Sequence, residues 1–115
     1  MLFLCYPKCT TCQKAKKWLD DNHFTYEARN IKEENPSRDE LRAWVNMSGL
    51  PLKTFFNTSG LVYKSMNLKE RLGGMSEEEQ LGLLAADGML VKRPIVVKNG
   101  TVLVGFKGTD WEGLK

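Results

Sequence analysis

The sequence predicts an α/β fold in which a β-α-β unit and a β-β-α unit flank a helical middle segment. Three observations support this order. An apolar run, a helical stretch and an alternating stretch follow one another before residue 30, two Ser-x-x-Glu capping boxes occupy the middle, and an Asn-Gly pair lies near the end. With 115 residues, 42% of them hydrophobic, the chain has the size and composition of one domain spanning 1–115.

The first part of the chain has the pattern of a parallel strand pair joined by a helix. Leu2–Cys5 is an apolar run that Pro7 ends, which predicts a buried strand. Thr10–Asp21 has helical spacing with one apolar face, and 24–28 alternates apolar and polar residues. A strand, a helix and a strand within about 30 residues form a βαβ unit.

The middle segment, about 36–88, is predicted to be helical. Capping boxes at Ser37 and Ser76, each with Glu three residues later, open two helices. The first helix ends at Gly49 and Pro51, and the second ends at 87–88. Short helical pieces are expected at 52–56 and 68–72.

The last part predicts a hairpin followed by a short helix. Residues 94–97 form an apolar strand, and the Asn99-Gly100 pair is the strongest short hairpin signal in the chain. Its partner strand is expected at 101–106 and a brief closing helix at 110–114.

Composition narrows the functional classes. Lys and Arg exceed Asp and Glu by 17 to 14, and this net charge of +3 is too small to predict a nucleic-acid-binding face. The N-terminal apolar run is too short for a signal peptide, and no stretch is long enough to cross a membrane. We therefore expect a cytoplasmic protein with no membrane partner and no direct nucleic-acid partner.

The cysteine content favours catalysis. Thiols stay reduced in the cytoplasm, so three cysteines, two of them in a CxxC motif, are not expected to form a structural disulfide. A zinc site needs about four ligands. Only Cys5 and His23 remain as candidates beside the motif, so no metal is predicted.

The Cys9-Thr10-Thr11-Cys12 motif carries the predicted chemistry. Cys9 lies where a strand has ended and a helix begins, and the free N–H groups and dipole there stabilise a thiolate. Lys8 adds positive charge, while Thr10 and Thr11 keep the loop open to a substrate. Cys12 follows one helical turn later and can resolve a mixed disulfide on Cys9. The alternative is a pair of incidental buried thiols.

Two further positions admit two interpretations each. Cys5 at the end of the first strand is favoured as a small core residue, with an auxiliary thiol as the alternative. Arg93, before Pro94, can hold an oxyanion with two hydrogen bonds. Spacing alone favours a solvated surface arginine at this position.

The chain resembles the arsenate reductase family, a glutaredoxin-related group that includes the Spx regulators. The resemblance is carried by the residues Cys9 to Ala15 after a strand and by Arg93-Pro94-Ile95-Val96, with further matches at 29–31, 57–60 and 68–70. It implies a thioredoxin-like mixed sheet with an inserted helical subdomain. It also implies a cis-proline at Pro94 facing the cysteine loop, and an Arg93 that borders the active site.

The resemblance also marks departures from the arsenate-reducing members. They carry two further anion-binding arginines, which fall at Lys53 and Gly105 here, and a histidine at the position of Cys5. Lysine holds an oxyanion only as a point charge, and glycine offers no side chain. We therefore expect Cys9, Cys12 and Arg93 to be catalytic and arsenate to be reduced weakly. Lys8, Thr10, Thr11, Lys53 and Pro94 are the expected substrate-binding residues.

Taken together, these features predict a thiol-dependent reductase of an oxyanion or disulfide, with no bound cofactor and with glutathione or another thiol as reductant. The alternative is an Spx-like redox-sensing regulator that binds the RNA polymerase alpha subunit. In such members a glycine near the position of Gly49 is important for that contact, although a helix C-cap explains Gly49 equally well. A binding module with inert thiols would leave the pKa of Cys9 at its ordinary value.

Overall fold

Four strands form one mixed sheet in the order β2-β1-β3-β4. The structure is a computed structural model that describes residues 1–115, apart from the surroundings of residue 108. The strands are β1 (Leu2–Cys5), β2 (Glu27–Asn30), β3 (Ile95–Lys98) and β4 (Thr101–Val104). β1 runs parallel to β2 and antiparallel to β3, and β3 pairs with β4 as the predicted hairpin. The predicted mixed α/β fold is therefore confirmed.

Helices connect and cover these strands. They are α1 (Thr10–Asp21), α2 (Arg38–Ser48), α3 (Leu61–Ser65), α4 (Leu68–Arg71), α5 (Glu77–Ala86) and α6 (Gly108–Trp111). Single 3₁₀ turns occur at Leu52–Phe55, Leu72–Gly74, Gly88–Leu90 and Glu112–Leu114. Among the helices described, none is long and apolar enough to cross a lipid bilayer.

Both predicted capping boxes are present, and they define where α2 and α5 begin. The hydroxyl of Ser37 accepts from the N–H of Glu40, and the Glu40 carboxylate accepts from the Ser37 N–H. Ser76 and Glu79 repeat this exchange. Gly49 ends α2 in the left-handed conformation, with φ 68°, as a C-cap glycine does.

The sheet buries side chains on both faces because strand residues alternate sides. Phe3 and Val96 pack with Ala15, Leu19 and Trp111 on one face. On the other face the neighbouring strand residues contact the helical middle segment; this cluster includes Leu4, Ile95, Leu41, Trp44, Phe55, Leu81 and Leu84. The middle segment thus covers a sheet face and carries the large apolar residues of the capped helices.

Three predicted strand boundaries are wrong by two or three residues, because β2 was predicted at 24–28 and ends at Asn30, and because β4 was predicted to reach residue 106. β2 begins at Glu27 and not at residue 24, because Phe24 stacks on Trp18 with ring centroids 5.6 Å apart. Tyr26, just before the strand, packs edge-on against Phe3. Ring packing therefore produces the apolar spacing that resembled strand alternation. β4 ends at Val104 and not at residue 106, because the chain turns at Gly105 with φ +79°.

An ion pair links the edge strand β2 to the first turn of α2. The Arg29 guanidinium donates two hydrogen bonds, of 2.7 and 3.0 Å, to the carboxylate of Glu40. These bonds, together with the N–H of Ser37, overcome partial burial and lower the pKa of Glu40 to about 2. Glu40 therefore both caps α2 and connects this helix to strand β2.

Replacing Glu40 by glutamine tests this link. Because the folded pKa of Glu40 lies below its ordinary 4.5, the stabilisation is complete above that pH and is lost as pH falls towards 2. At neutral pH we expect Glu40→Gln to lower the free energy of unfolding by about 1 kcal/mol, with a smaller loss near pH 3. Glu79→Gln is the matched control, because its capping box has no arginine partner among the described residues. Equal losses for both variants in urea unfolding, at both pH values, would contradict this account.

Candidate functional site

The Cys9 thiol lies at the beginning of α1. After β1 the chain turns, and the N–H of Cys9 donates to the carbonyl of Tyr6 at 2.9 Å. Cys9 is the N-cap residue, with extended backbone angles, and its carbonyl accepts the first helical hydrogen bond from Gln13. Its sulfur therefore lies beside the N–H groups of the first helical turn, which have no partner within the helix.

Burial opposes ionisation of Cys9, yet its pKa is lowered because hydrogen bonds outweigh the burial. The donors are the backbone N–H and the thiol of Cys12, the side chain of Arg93 and the backbone N–H of Thr11. The positive end of α1 and one guanidinium thus favour the thiolate, as the sequence position predicts.

Arg93 reaches Cys9 because of the strand register. β1 and β3 are antiparallel and Leu4 pairs with Ile95, so the residues before β3 lie beside the residues after β1. The Arg93 guanidinium carbon lies 5.5 Å from the centre of the Tyr6 ring, and Nη1 donates to the carbonyl of Met89 at 3.4 Å. The Arg93–Pro94 peptide bond is cis, as the family resemblance implies.

One donor of Arg93 has no protein acceptor. Its Nε is buried, and none of the described residues accepts a hydrogen bond from it. A buried donor without an acceptor costs about 1–3 kcal/mol, so an anion that supplies one would be bound more tightly.

A cavity of about 980 Å³ opens beside Cys9 and Arg93. Thr11 and Lys53, both predicted from the sequence, line it as well. Lys92 and Lys107 add two more positive side chains, while none of the described carboxylates lines it. Such a cavity attracts anionic ligands.

Three predicted substrate-binding residues lie outside this cavity. Lys8 and Thr10 are exposed in the turn and at the first position of α1, and neither lines the cavity. Pro94 is buried behind Arg93, where its carbonyl accepts from the N–H of Gly105 at 2.8 Å. Pro94 therefore shapes the backbone around the site and contributes no lining surface.

Sequence reasoning missed most of the lining residues, and four of the polar ones come from two places in the chain. Asn57 and Ser59 come from the polar turn at 57–60, and Lys92 and Lys107 come from either side of the hairpin. The turn and Lys92 were visible as part of sequence motifs. Their approach to Cys9 depends on how the middle segment packs on the sheet, which no local pattern encodes.

Gly105 lines the same cavity but has little freedom to change. Its backbone is left-handed, with φ +79°, and its carbonyl accepts from the indole N–H of Trp111 at 3.1 Å. Residues with a side chain rarely adopt this conformation. An arginine at this position would reach the cavity only with backbone strain.

Cys12 is the protonated partner of two other thiols. It is only 2% exposed, and its sulfur accepts from the N–H of Tyr6 at 3.3 Å. Its pKa is raised, first by the hydrogen bond to Cys5, then by burial and by the charge on Cys9. Cys12 therefore donates a proton to its neighbours and is not the thiol that ionises first.

Cys5 packs against the apolar cluster around Phe3 and Trp111, as the favoured core interpretation of the sequence predicts, and it also interacts with Cys12. Its side chain is half-buried, and the hydrogen bond with Cys12 lowers its pKa to about 7 against the opposing effect of burial. The charge of Lys16 lowers the pKa further. Cys5 thus belongs to a cluster of three thiols in which Cys12 is the central member.

The matching family model covers residues 4–114 and is that of the ArsC family. This chain belongs to the ArsC family. Its fold superposes with a TM-score of 0.97 on an ArsC family related protein of Bacteroides fragilis, 59% identical over 99% of this chain and 96% of that one. A possible arsenate reductase of Streptococcus mutans is 45% identical, with a TM-score of 0.88 over 96% of both chains. The thioredoxin-like fold is therefore confirmed.

Sequence relatives in the ArsC family include regulators. The protein YusI of Bacillus subtilis is 53% identical, over 97% of this chain and 95% of YusI. The regulatory protein MgsR of Bacillus subtilis is 30% identical, over 92% of this chain and 82% of MgsR. The global transcriptional regulator Spx of Staphylococcus aureus is 27% identical, over 87% of this chain and 75% of Spx.

Replacing Arg93 by alanine tests the thiolate site of this ArsC family protein. Removing the guanidinium raises the pKa of Cys9, so we expect alkylation of Cys9 at pH values below 7 to slow several-fold. Mass spectrometry of tryptic peptides separates Cys5 from Cys9, so the alkylation of each thiol is followed in the same molecule, and we expect no slowing at Cys5. The alkylation rate of Cys9 should fall less in Arg93→Lys than in Arg93→Ala. Unchanged Cys9 alkylation in Arg93→Ala, or an equal change at Cys5, would contradict the assignment.

Proposed function

We propose that this ArsC family protein is a thiol-dependent reductase in which the Cys9 thiolate attacks an oxidised substrate, with disulfides preferred over arsenate-like oxyanions. The observation that carries the proposal is the position of Cys9 as the N-cap residue of α1, at the wall of a basic cavity that Arg93 also lines, where the pKa of its thiol is lowered. Thiolate, and not thiol, is the nucleophile in exchange with a disulfide.

The proposed reaction has two steps on the protein. The Cys9 sulfur bonds to one sulfur of the substrate disulfide, and the other substrate sulfur leaves as a thiol. Cys12 then loses its proton, attacks the Cys9 sulfur of the mixed disulfide and releases the second substrate thiol. The substrate gains two electrons and the protein is left with a Cys9–Cys12 disulfide.

An external thiol, such as glutathione, is proposed to reduce that disulfide, and the cycle uses no bound cofactor. Such a cycle suits the cytoplasm, where the thiol pool keeps cysteines reduced. Arg93 stabilises the Cys9 thiolate at the start and end of each turnover. Lys53, at the cavity wall, is proposed to hold a carboxylate or oxyanion of the substrate.

We expect an arsenate-like oxyanion to bind weakly, because two of the three arginines expected to hold it are replaced. Lys53 provides a point charge without a bidentate fork, and Gly105 provides no side chain. A charge-assisted hydrogen bond contributes about 1.5–3 kcal/mol, so one lost contact corresponds to about one to two decades in binding. The unpaired Nε of Arg93 leaves one donor for an anion.

A redox-sensing regulator that binds the RNA polymerase alpha subunit is the second candidate. The similarity to MgsR and to Spx favours it. Gly49 adds no support, because its left-handed C-cap conformation accounts for the glycine. A thiol switch needs a pair of cysteines but no cavity beside them, and the basic cavity at Cys9 therefore favours the reductase.

One turnover assay separates these functions. Arsenate, a glutathione mixed disulfide and a small-protein disulfide are offered to the same preparation with excess glutathione. We expect disulfide reduction, little or no arsenate turnover, and complete loss of activity in Cys9→Ser. Cys12→Ser should slow protein-disulfide reduction but spare reactions that external glutathione resolves. No turnover of any substrate, with redox-dependent binding to the alpha subunit, would establish the regulator instead.

The basic wall is tested by two arginine substitutions. Lys53→Arg supplies the missing fork, and we expect it to tighten arsenate binding several-fold in calorimetry without loss of stability. Lys64→Arg is the control, because Lys64 is exposed and lies outside the cavity. Gly105→Arg should lower the free energy of unfolding by about 1 kcal/mol or more, because of the positive φ. Equal arsenate binding in the Lys53 and Lys64 variants would exclude Lys53 from the anion site.

A further inference from the structure

The three thiols open on two different surfaces. Cys9 lines the large basic cavity, whereas Cys5 and Cys12 line a separate groove of about 350 Å³. The two openings share no lining residue among those described. A reductant that enters the large cavity therefore meets Cys9, and one that enters the groove meets the other two thiols.

Cys12 contacts both of the other thiols. Cys5 and Cys12 line the same groove, Cys9 lies one helical turn before Cys12 at the start of α1, and interaction with both thiols raises the pKa of Cys12. One thiol carries one proton, so Cys12 stabilises only one of the two neighbouring thiolates at a time. The Cys12 thiol therefore has two neighbouring thiols, of which Cys9 opens on the large cavity and Cys5 on the groove.

We propose that Cys5 is a third redox thiol that attacks the Cys12 sulfur of the Cys9–Cys12 disulfide and moves the disulfide to Cys5–Cys12. This inference rests on the proposed function, because that function forms the first disulfide. Its result is that the substrate and the reducing thiol use different openings of the molecule.

The exchange balances without an added oxidant or reductant. Cys5 gives its proton to solvent and its thiolate bonds to the Cys12 sulfur, while the bond between the Cys9 and Cys12 sulfurs breaks. Cys9 leaves as a thiolate, which the helix N–H groups and Arg93 already stabilise. One disulfide replaces another, and the substrate cavity regains its nucleophile.

A low-molecular-weight thiol then completes the cycle at the groove. Its thiolate bonds to the Cys5 sulfur and the Cys12 thiolate leaves and is protonated. A second molecule of the same thiol attacks the mixed disulfide, giving a small-molecule disulfide and free Cys5. Lys16, which lines the groove and lowers the pKa of Cys5, favours the Cys5 thiolate and an anionic thiol reductant.

The cleavage sites of trypsin make the disulfide position directly measurable. Trypsin cuts after Lys8 and Lys14, so Cys5 lies in one peptide while Cys9 and Cys12 share the next. The reduced protein is oxidised with one equivalent of glutathione disulfide, quenched in acid, alkylated, digested and analysed without reduction. A Cys9–Cys12 bond stays within one peptide and leaves the label on Cys5. A Cys5–Cys12 bond joins the two peptides and leaves the label on Cys9.

We expect the joined peptides with labelled Cys9, and we expect them to form faster at pH 8 than at pH 6, because the Cys5 thiolate is the attacking species. A Cys9–Cys12 bond with labelled Cys5 at every pH would overturn this inference and leave the proposed function intact. A link between Cys5 and Cys9 in the fragment spectra would overturn it as well. If no internal disulfide forms at all, the proposed function fails first.

A matched pair of lysine substitutions tests the role of the groove. Lys16→Met removes the charge that favours the Cys5 thiolate, and Lys17→Met removes a neighbouring lysine that does not line the groove. Each variant loses one i,i+4 ion pair to an aspartate, and Lys16→Met also loses the hydrogen bond from its ammonium to the Tyr26 hydroxyl, so urea unfolding of both variants is measured beside the exchange rates. At neutral pH we expect the shift to Cys5–Cys12 to slow several-fold in Lys16→Met only. Equal rates in the two variants would remove Lys16 from the exchange.

Discussion

The first turn of α1 and the side chain of Arg93, which both lie beside the Cys9 thiol, are the features on which the rest of the site depends. They make a thiolate favourable at a partly buried position, where burial alone would keep the thiol protonated. The helix supplies its donors because Cys9 is the N-cap residue, and the arginine arrives from a different strand. The backbone N–H groups belong to the cysteine motif itself, whereas Arg93 lies more than 80 residues later in the chain and is brought to the motif by the fold.

Sheet topology explains why only a few elements are needed to form the cavity beside Cys9. β1 ends at Cys5, the turn follows, and the antiparallel neighbour β3 begins beside that end. The cysteine loop, Arg93 and the chain turn at Gly105 therefore meet at one end of the strands. The middle segment closes the other wall of the cavity with Lys53 and the polar turn at 57–60, while its own large apolar residues cover the sheet. Substrate binding and core packing thus share one inserted segment.

The sequence predicted an element well where a few adjacent residues form a hydrogen-bonded cap or turn. Residues close together in the sequence predict three of these features correctly: both capping boxes, the Asn99-Gly100 hairpin and the position of Cys9 at a helix start. The start of β2 was wrong because ring packing by Phe24 gives the same spacing as a strand. Arg93 needed the family resemblance, since spacing alone favours a surface role. The cluster of Cys5 with Cys12 could not be predicted, because it depends on the approach of the end of β1 to the first turn of α1.

The most direct test of the account is an ultraviolet titration of the thiolate in Cys5→Ser, which leaves Cys9 and Cys12 as the only cysteines. Thiolate absorbance should appear with an apparent pKa below the unperturbed value of about 8.5, and it should disappear when Cys9 is also replaced by serine. Adding Arg93→Ala should move the titration to higher pH. An apparent pKa at or above about 8.5, unmoved by the loss of Arg93, would show that Cys9 is an ordinary thiol and would contradict the central claim.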